Sequence, residues 1–214
     1  MKLSARLESR NAFNVFELFV LVAVFAIGSA VLLPVLWRPR ICCRVNCSNN
    51  LKQIGLAFNT WALDNGNQFP MGVSTNIPGT KELCSGRNAF AHFAVMSNEL
   101  STPKLLVCPE DTNRHWATNF TSDLDNKKLS YFVGLDATST NATMLLSGDR
   151  NLTNSCHQTN GVLVLRPGDN VAWTHKLHNA RGNLLFADGS VQQVSNKMIT
   201  SAFLGGYTNR LAMP

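Results

Sequence analysis

Asn46–Leu63 reads NCSNNLKQIGLAFNTWAL. Leu51, Ile54, Phe58 and Trp61 recur at spacings of three, four and three residues, which makes one apolar stripe along a helix. Lys52 and Gln53 fall off that stripe. The pattern stops at Asp64-Asn65-Gly66-Asn67, with Pro70 just beyond. Such a stripe packs against a sheet, and the chain downstream supplies one. From Met71 onward the helical period disappears. Short apolar runs at Lys104–Cys108, Leu129–Leu135, Ala142–Leu146, Gly161–Leu165, Asn183–Ala187 and Ser190–Val194 predict strands. Asp188-Gly189 separates the last two and predicts a two-residue hairpin turn, with φ > 0 at both positions. Asn88–Leu100 predicts one short helix, and Met71–Arg87 an extended loop. The expected fold class is α+β: a long N-terminal helix packed on a mainly antiparallel sheet.

Upstream, Leu18–Trp37 reads LFVLVAVFAIGSAVLLPVLW, without a charge. A helix of that length rises roughly 30 Å, the thickness of a bilayer's hydrocarbon core. It exceeds the apolar core of a cleaved secretory signal, and Trp37-Arg38-Pro39-Arg40 follows it rather than a small-residue cleavage site. Pro39 should break the helix after Arg38. Gly28 and Pro34 inside the span are compatible with a simple membrane helix and with one that loosens on packing. The basic flanks do not fix orientation: Lys2, Arg6 and Arg10 precede the span, and Arg38, Arg40 and Arg44 follow it.

The 214 residues carry 45% hydrophobic and 15% charged side chains and a net charge of +6. That excludes global disorder. Residues 1–44 account for +4 and the rest for +2, so the body is nearly neutral and no nucleic-acid partner is expected.

The residues around the apolar span are Arg10-Asn11-Ala12-Phe13-Asn14-Val15-Phe16-Glu17. They resemble the class III signal of type IV pilins and type II secretion pseudopilins. The resemblance implies a leader Met1–Ala12, cleavage by prepilin peptidase before Phe13, methylation of the new amine, and Glu17 as the assembly carboxylate. Ala12 stands where Gly is commoner, and Asn14 where Thr or Ser is usual. Cys47–Ala57 is similar to the C-x-N-N-L-K-Q-I-G signature of a bacterial pseudopilin-like group that ends in H-x9-D-G. Val107-Cys108-Pro109-Glu110-Asp111, Ser130–Gly134, Leu146–Asn151, and His178 with Asp188-Gly189 continue the match.

The resemblance implies a pilin-like organisation: leader 1–12, transmembrane helix 13–37, stalk 38–64 and a β-rich periplasmic head 65–214. The expected protein is a non-enzymatic pseudopilin-like subunit of a type II secretion or type IV pilus-like assembly. It would span the bacterial inner membrane once. Its partners would be prepilin peptidase, other pseudopilins, the secretion platform and the lipid bilayer. The alternative is a permanently anchored periplasmic binding module for a polysaccharide or protein.

Export permits disulfides. Six cysteines allow 15 pairings. Cys47 and Cys108 stand in the signature blocks, so the resemblance favours Cys47–Cys108 and then Cys84–Cys156. Scattered thiols without C-x2-C spacing disfavour zinc. His178, Asp188 and Gly189 form a candidate structural or metal motif, with His175 and Asp149 nearby in sequence. Major pseudopilins carry Ca²⁺, which the resemblance leaves open here, but Asp149, Asp169 and Asp188 do not form a dense acidic loop, and no other cofactor is expected. A catalytic triad would need a nucleophile beside His178, and G-x-S-x-G is missing from the sequence.

Overall fold

The computed structural model describes residues 14–36, 41–154, 158–199 and 206–214, with side chains omitted at 31–36, 41–44 and 158. The chain forms two compact units, Met1–Ile41 and Cys42–Pro214. The leader and the Ala12–Phe13 cleavage position lie outside the described residues, as does the expected break at Pro39.

The first unit contains α1 (Val15–Leu36). Its start is capped reciprocally. Asn14 Oδ1 accepts from the Phe16 N–H at 3.4 Å, and the Asn14 N–H donates to the Glu17 carboxylate at 3.4 Å. That is a capping-box arrangement, with the acid three residues into the helix. Among the described residues, no helix is long and apolar enough to cross a membrane. This overturns the expected transmembrane helix at 13–37 and the single-pass inner-membrane location. The membrane-inserted pseudopilin-like subunit and the membrane-anchored binding module fall with it.

The second unit is built on α2 (Ile41–Asp64). Leu51, Ile54, Phe58 and Trp61 are all buried, as the stripe requires. Gly55 lets the helix come close: a Cβ there would lie 2.8 Å from Leu185 Cδ1 and 3.6 Å from Gly189 Cα. The Phe58 ring sits 5.8 Å from Phe69 in an edge-on contact and 6.1 Å from Phe93. Replacing a stripe residue such as Ile54 by Ala would cost about 2–5 kcal/mol.

Between helix and sheet the chain uses short turns. α3 (Ala89–Ala94) and α4 (Ser97–Leu100) replace the single helix expected there. The expected strand Lys104–Cys108 is instead a 3₁₀ turn, Pro103–Leu106. Pro103 at its first position fixes φ, and Thr102 Oγ1 accepts from the Lys104 N–H at 3.4 Å.

The strands are β1 (Tyr131–Gly134), β2 (Leu145–Asp149), β3 (Leu152–Asn154), β4 (Gln158–Thr159), β5 (Val162–Leu165), β6 (Val171–Trp173), β7 (Arg181–Phe186), β8 (Val191–Ser195) and β9 (Asn209–Ala212). Seven form one sheet, in the order β4-β5-β9-β1-β2-β7-β8. β3 and β6 pair separately, and every pairing is antiparallel. The expected α+β class is therefore present. The period of two assigns the faces. Tyr131, Val133, Leu146 and Leu185 join the core with α2. Phe132, Leu145, Leu184 and Phe186 face the opposite side, with Trp173 of β6 and Leu211 of β9. The β7–β8 turn differs from the expected two-residue form. Gly189 alone lies at positive φ, 84°, its N–H donates to Phe186 O at 2.9 Å, and the Phe186 N–H donates to Ser190 O at 2.9 Å. This is a longer hairpin with a glycine bulge.

Candidate functional site: a buried cysteine–histidine corner beside an amide-lined groove

Four of the sequence blocks quoted above, Cys47–Ala57, Val107–Asp111, Ser130–Gly134 and Leu146–Asn151, meet in one place with His178. Cys47 of α2 is bonded to Cys108, the expected pair. Asp111, three residues on, is buried and holds Arg150 in a two-pronged ion pair: Nε to Oδ2 at 2.6 Å and Nη2 to Oδ1 at 2.7 Å. Ser130 Oγ donates to the same carboxylate at 2.8 Å. The 107–111 turn is thereby tied to the start of β1 and the end of β2.

His178 closes the corner. Its Nδ1 lies 2.5 Å from Glu110 Oε2. Its Nε2 faces Cys108 Sγ at 3.5 Å and Asp149 Oδ2 at 3.4 Å. The imidazole is fully buried. The backbone that carries it is unusual: His178, Asn179 and Ala180 have φ of 52°, 52° and 58°. Three successive non-glycine residues in the left-handed region cost roughly 1–2 kcal/mol each, less for Asn. Asn151 Nδ2 holds this loop, within 3.0–3.1 Å of the carbonyls of Thr174, Leu177 and Arg181. Asp149 Oδ2 accepts from the Asn183 backbone N–H at 2.7 Å and from its amide at 2.8 Å. Burial pushes the Asp149 carboxyl up to about 6, against the pull of His178 and the two Asn183 hydrogen bonds. Its Oδ1 has no hydrogen-bond partner among the described residues.

Cys47, Cys108 and His178 form a group whose ligand atoms lie within 4.8 Å of one another, all buried. The other expected site residues lie elsewhere. Asp188 is exposed at the β7–β8 turn, where its Oδ1 accepts from the Ser190 N–H at 2.8 Å. Gly189 is the bulge residue. The two halves of H-x9-D-G thus serve opposite ends of β7. His175 is exposed. The expected Cys84–Cys156 bond is corrected in part: Cys84 is a free thiol whose Sγ lies 3.6 Å from Thr80 O and 3.8 Å from Met71 O in its own loop. Cys156 lies outside the described residues.

Beside the disulfide runs a groove of about 760 Å³. One wall is α2, which presents Asn46, Asn49, Asn50 and Gln53. These amides stand at i, i+3, i+4 and i+7, one helical face, adjacent to the apolar stripe. The other wall runs from Lys104 to Trp116 and includes Arg114 and His115. Trp116 is 57% exposed, and Lys104 Nζ lies 5.8 Å from its ring centre. Sequence reading missed the amide row, although its helical spacing was available in Asn46–Gln53. It also missed Trp116, which no periodic pattern marks.

No family model matches the chain, and no curated protein and no solved structure matches it either.

Proposed function

We propose that the unit Cys42–Pro214 is a non-enzymatic recognition module, and that its groove takes an acidic saccharide. The row Asn46, Asn49, Asn50 and Gln53 opposite an exposed Trp116 carries the reading. Each amide offers donors and an acceptor, which suits the hydroxyls of a sugar. An indole face suits the flat C–H face of the ring. Lys104 and Arg114 add positive charge for a carboxylate. Concave sites with a few convergent polar groups are the usual form of small-ligand sites. The non-enzymatic part rests on the corner beneath: the Cys108 sulfur is held in a disulfide, and the His178 ring is closed off from solvent.

The likeness of the signature blocks to the H-x9-D-G group enters this proposal as kinship of the body and its pilin-like helix-on-sheet plan. Its support is that four of those blocks gather around Cys47–Cys108. An experimental structure of a group member with the strand order found here is the expected result, and a different order would remove the kinship.

The function is tested by titrating the protein with an oligogalacturonide and following heat release and Trp emission. We expect saturable, salt-weakened binding, reduced at least about tenfold in Trp116→Ala and in the double variant Asn49→Ala/Gln53→Ala. Equal binding by these variants, or by a neutral cello-oligosaccharide, would overturn the assignment.

A further inference from the structure

We propose that Cys47, Cys108 and His178 form a zinc-type divalent-metal site that the disulfide closes and a dithiol reductant opens. The inference stands apart from the groove and its ligand.

The first support is geometric. In a tetrahedral zinc shell with ordinary bond lengths, a nitrogen and a sulfur ligand lie ~3.5 Å apart, and a nitrogen and an oxygen ligand ~3.3 Å apart. His178 Nε2 lies 3.5 Å from Cys108 Sγ and 3.4 Å from Asp149 Oδ2. The His178–Cys108 edge of that shell is therefore already set, Cys47 is the third donor of the cluster, and Asp149, outside that cluster, stands at the length of a nitrogen–oxygen edge from the same nitrogen. All three cysteine and histidine donors are buried.

The second support is the outer ring of contacts. Metal-bound histidines donate their other N–H to a carboxylate, which fixes the tautomer. Glu110 stands at His178 Nδ1, at 2.5 Å. That leaves the Nε2 lone pair directed at the sulfur and at Asp149. Asn183 orients Asp149 through two hydrogen bonds. The Asp149 Oδ1 atom, buried and without a hydrogen-bond partner among the described residues, is a second oxygen on the same carboxylate. The three left-handed residues from His178 to Ala180 are a backbone distortion of the kind that gathers at functional sites.

The chemistry balances. The dithiol attacks the disulfide and is itself oxidised to a disulfide. The Cys47–Cys108 bond breaks, and the two sulfurs receive two electrons and two protons. The metal ion then forms two metal–sulfur bonds, and the two thiol protons leave to solvent. His178 gives only its Nε2 lone pair, and its remaining proton stays on Nδ1 against Glu110.

The test uses the full chain with Cys42, Cys43, Cys84 and Cys156 replaced by Ser, so that only the two site sulfurs remain. Co²⁺ is the probe. After reduction we expect one Co²⁺ per chain, with thiolate-to-cobalt charge-transfer absorption and tetrahedral ligand-field bands that Zn²⁺ abolishes. His178→Ala should weaken binding at least about tenfold, and the positioning variant Glu110→Gln about tenfold. The oxidised chain should give none of these bands. If reduction unfolds the protein, recovery of its circular dichroism on adding Co²⁺ supports the site. A chain that stays unfolded with Co²⁺ overturns it. So do missing charge-transfer bands, unchanged affinity in His178→Ala, or equal binding by the oxidised form.

Discussion

His92 and His178 are 0% and 2% exposed, yet they sit in opposite kinds of surroundings. His92 belongs to α3, and its ring has one hydrogen-bond partner among the described residues, the Thr80 hydroxyl, 2.7 Å from Nδ1. Burial alone pushes its imidazole down to about 4. His178 has a carboxylate on one nitrogen and a sulfur and a second carboxylate on the other. Burial removes the charge from the first histidine and leaves a neutral packing residue. The partners of the second convert the same burial into a tightly specified cluster. Solvent exclusion by itself therefore does not distinguish a core histidine from a site histidine. The chemistry of the partners does.

The largest effect should come from the covalent tie of the His178 corner. Cys47 and Cys108 are separated by 61 residues, and closing a loop of that size is worth about 4 kcal/mol in the chain-entropy account. The variant Cys47→Ser/Cys108→Ser should show that loss in urea unfolding. Stability within about 1 kcal/mol of the parent would mean that the helix is held by its apolar stripe alone.

Side-chain replacement should then separate the two histidines. His178→Asn keeps a residue that tolerates the left-handed backbone while leaving Glu110 and Asp149 without their partner. A loss of about 2–3 kcal/mol is expected, the scale for removing a buried hydrogen bond to a carboxylate together with its packing. His92→Asn removes one neutral hydrogen bond and some packing, and should cost about 1–2 kcal/mol. Equal losses would erase the distinction between the two environments.

These two corners also differ in how much of them the sequence could show. The α2 stripe, the antiparallel strands β1, β5, β7 and β8, and the Cys47–Cys108 pair are all legible, the stripe by its helical period, the strands as short apolar runs and the pair by its motif blocks. The partners of His178 were not. Glu110 and Cys108 lie 68 and 70 residues away in sequence, and no local spacing rule reaches that far. C-x2-C spacing is a local rule as well, and it is blind to donors that only tertiary folding brings together. The strands β3, β4 and β6 are two or three residues long, too short to stand out, and in β9 Asn209 and Arg210 interrupt any apolar run. β9 nonetheless sits between β5 and β1, so the middle of the sheet depends on a C-terminal segment whose role is set only by tertiary pairing. The Lys104–Cys108 run failed for a local reason, because Pro103 and the Thr102 cap favour a 3₁₀ turn.

Acid titration sharpens the comparison further, because the two corners carry slopes of opposite sign. His92 is lowered from about 6.5 to about 4, so the unfolded chain takes a proton that the folded chain refuses. Its contribution is present above about pH 6.5 and is lost as pH falls toward 4, on the order of 3 kcal/mol. Asp149 is raised from 3.8 to about 6, so the folded chain keeps a proton that the unfolded chain releases. Its contribution is present below about pH 4 and is lost as pH rises through 6. Urea midpoints of the disulfide-bonded protein between pH 4 and 6.5 should lose their acid-side decline in His92→Gln. In Asp149→Asn they should lose the opposing rise toward low pH. A profile unchanged by either substitution would show that neither group titrates with folding.

The smallest stability effect belongs to the groove, and its smallness is the point. Trp116 is mostly exposed, and Asn49 and Gln53 are exposed on α2. Their replacement by Ala should move stability by no more than about 0.5 kcal/mol, as for other surface positions. An exposed indole next to a row of amides contributes little to the fold. The decisive pattern is unchanged urea unfolding together with lost oligogalacturonide binding in Trp116→Ala. A large stability loss in that variant would instead make Trp116 a packing residue like those on the buried stripe of the same unit. The amide face would then be an ordinary solvated helix surface.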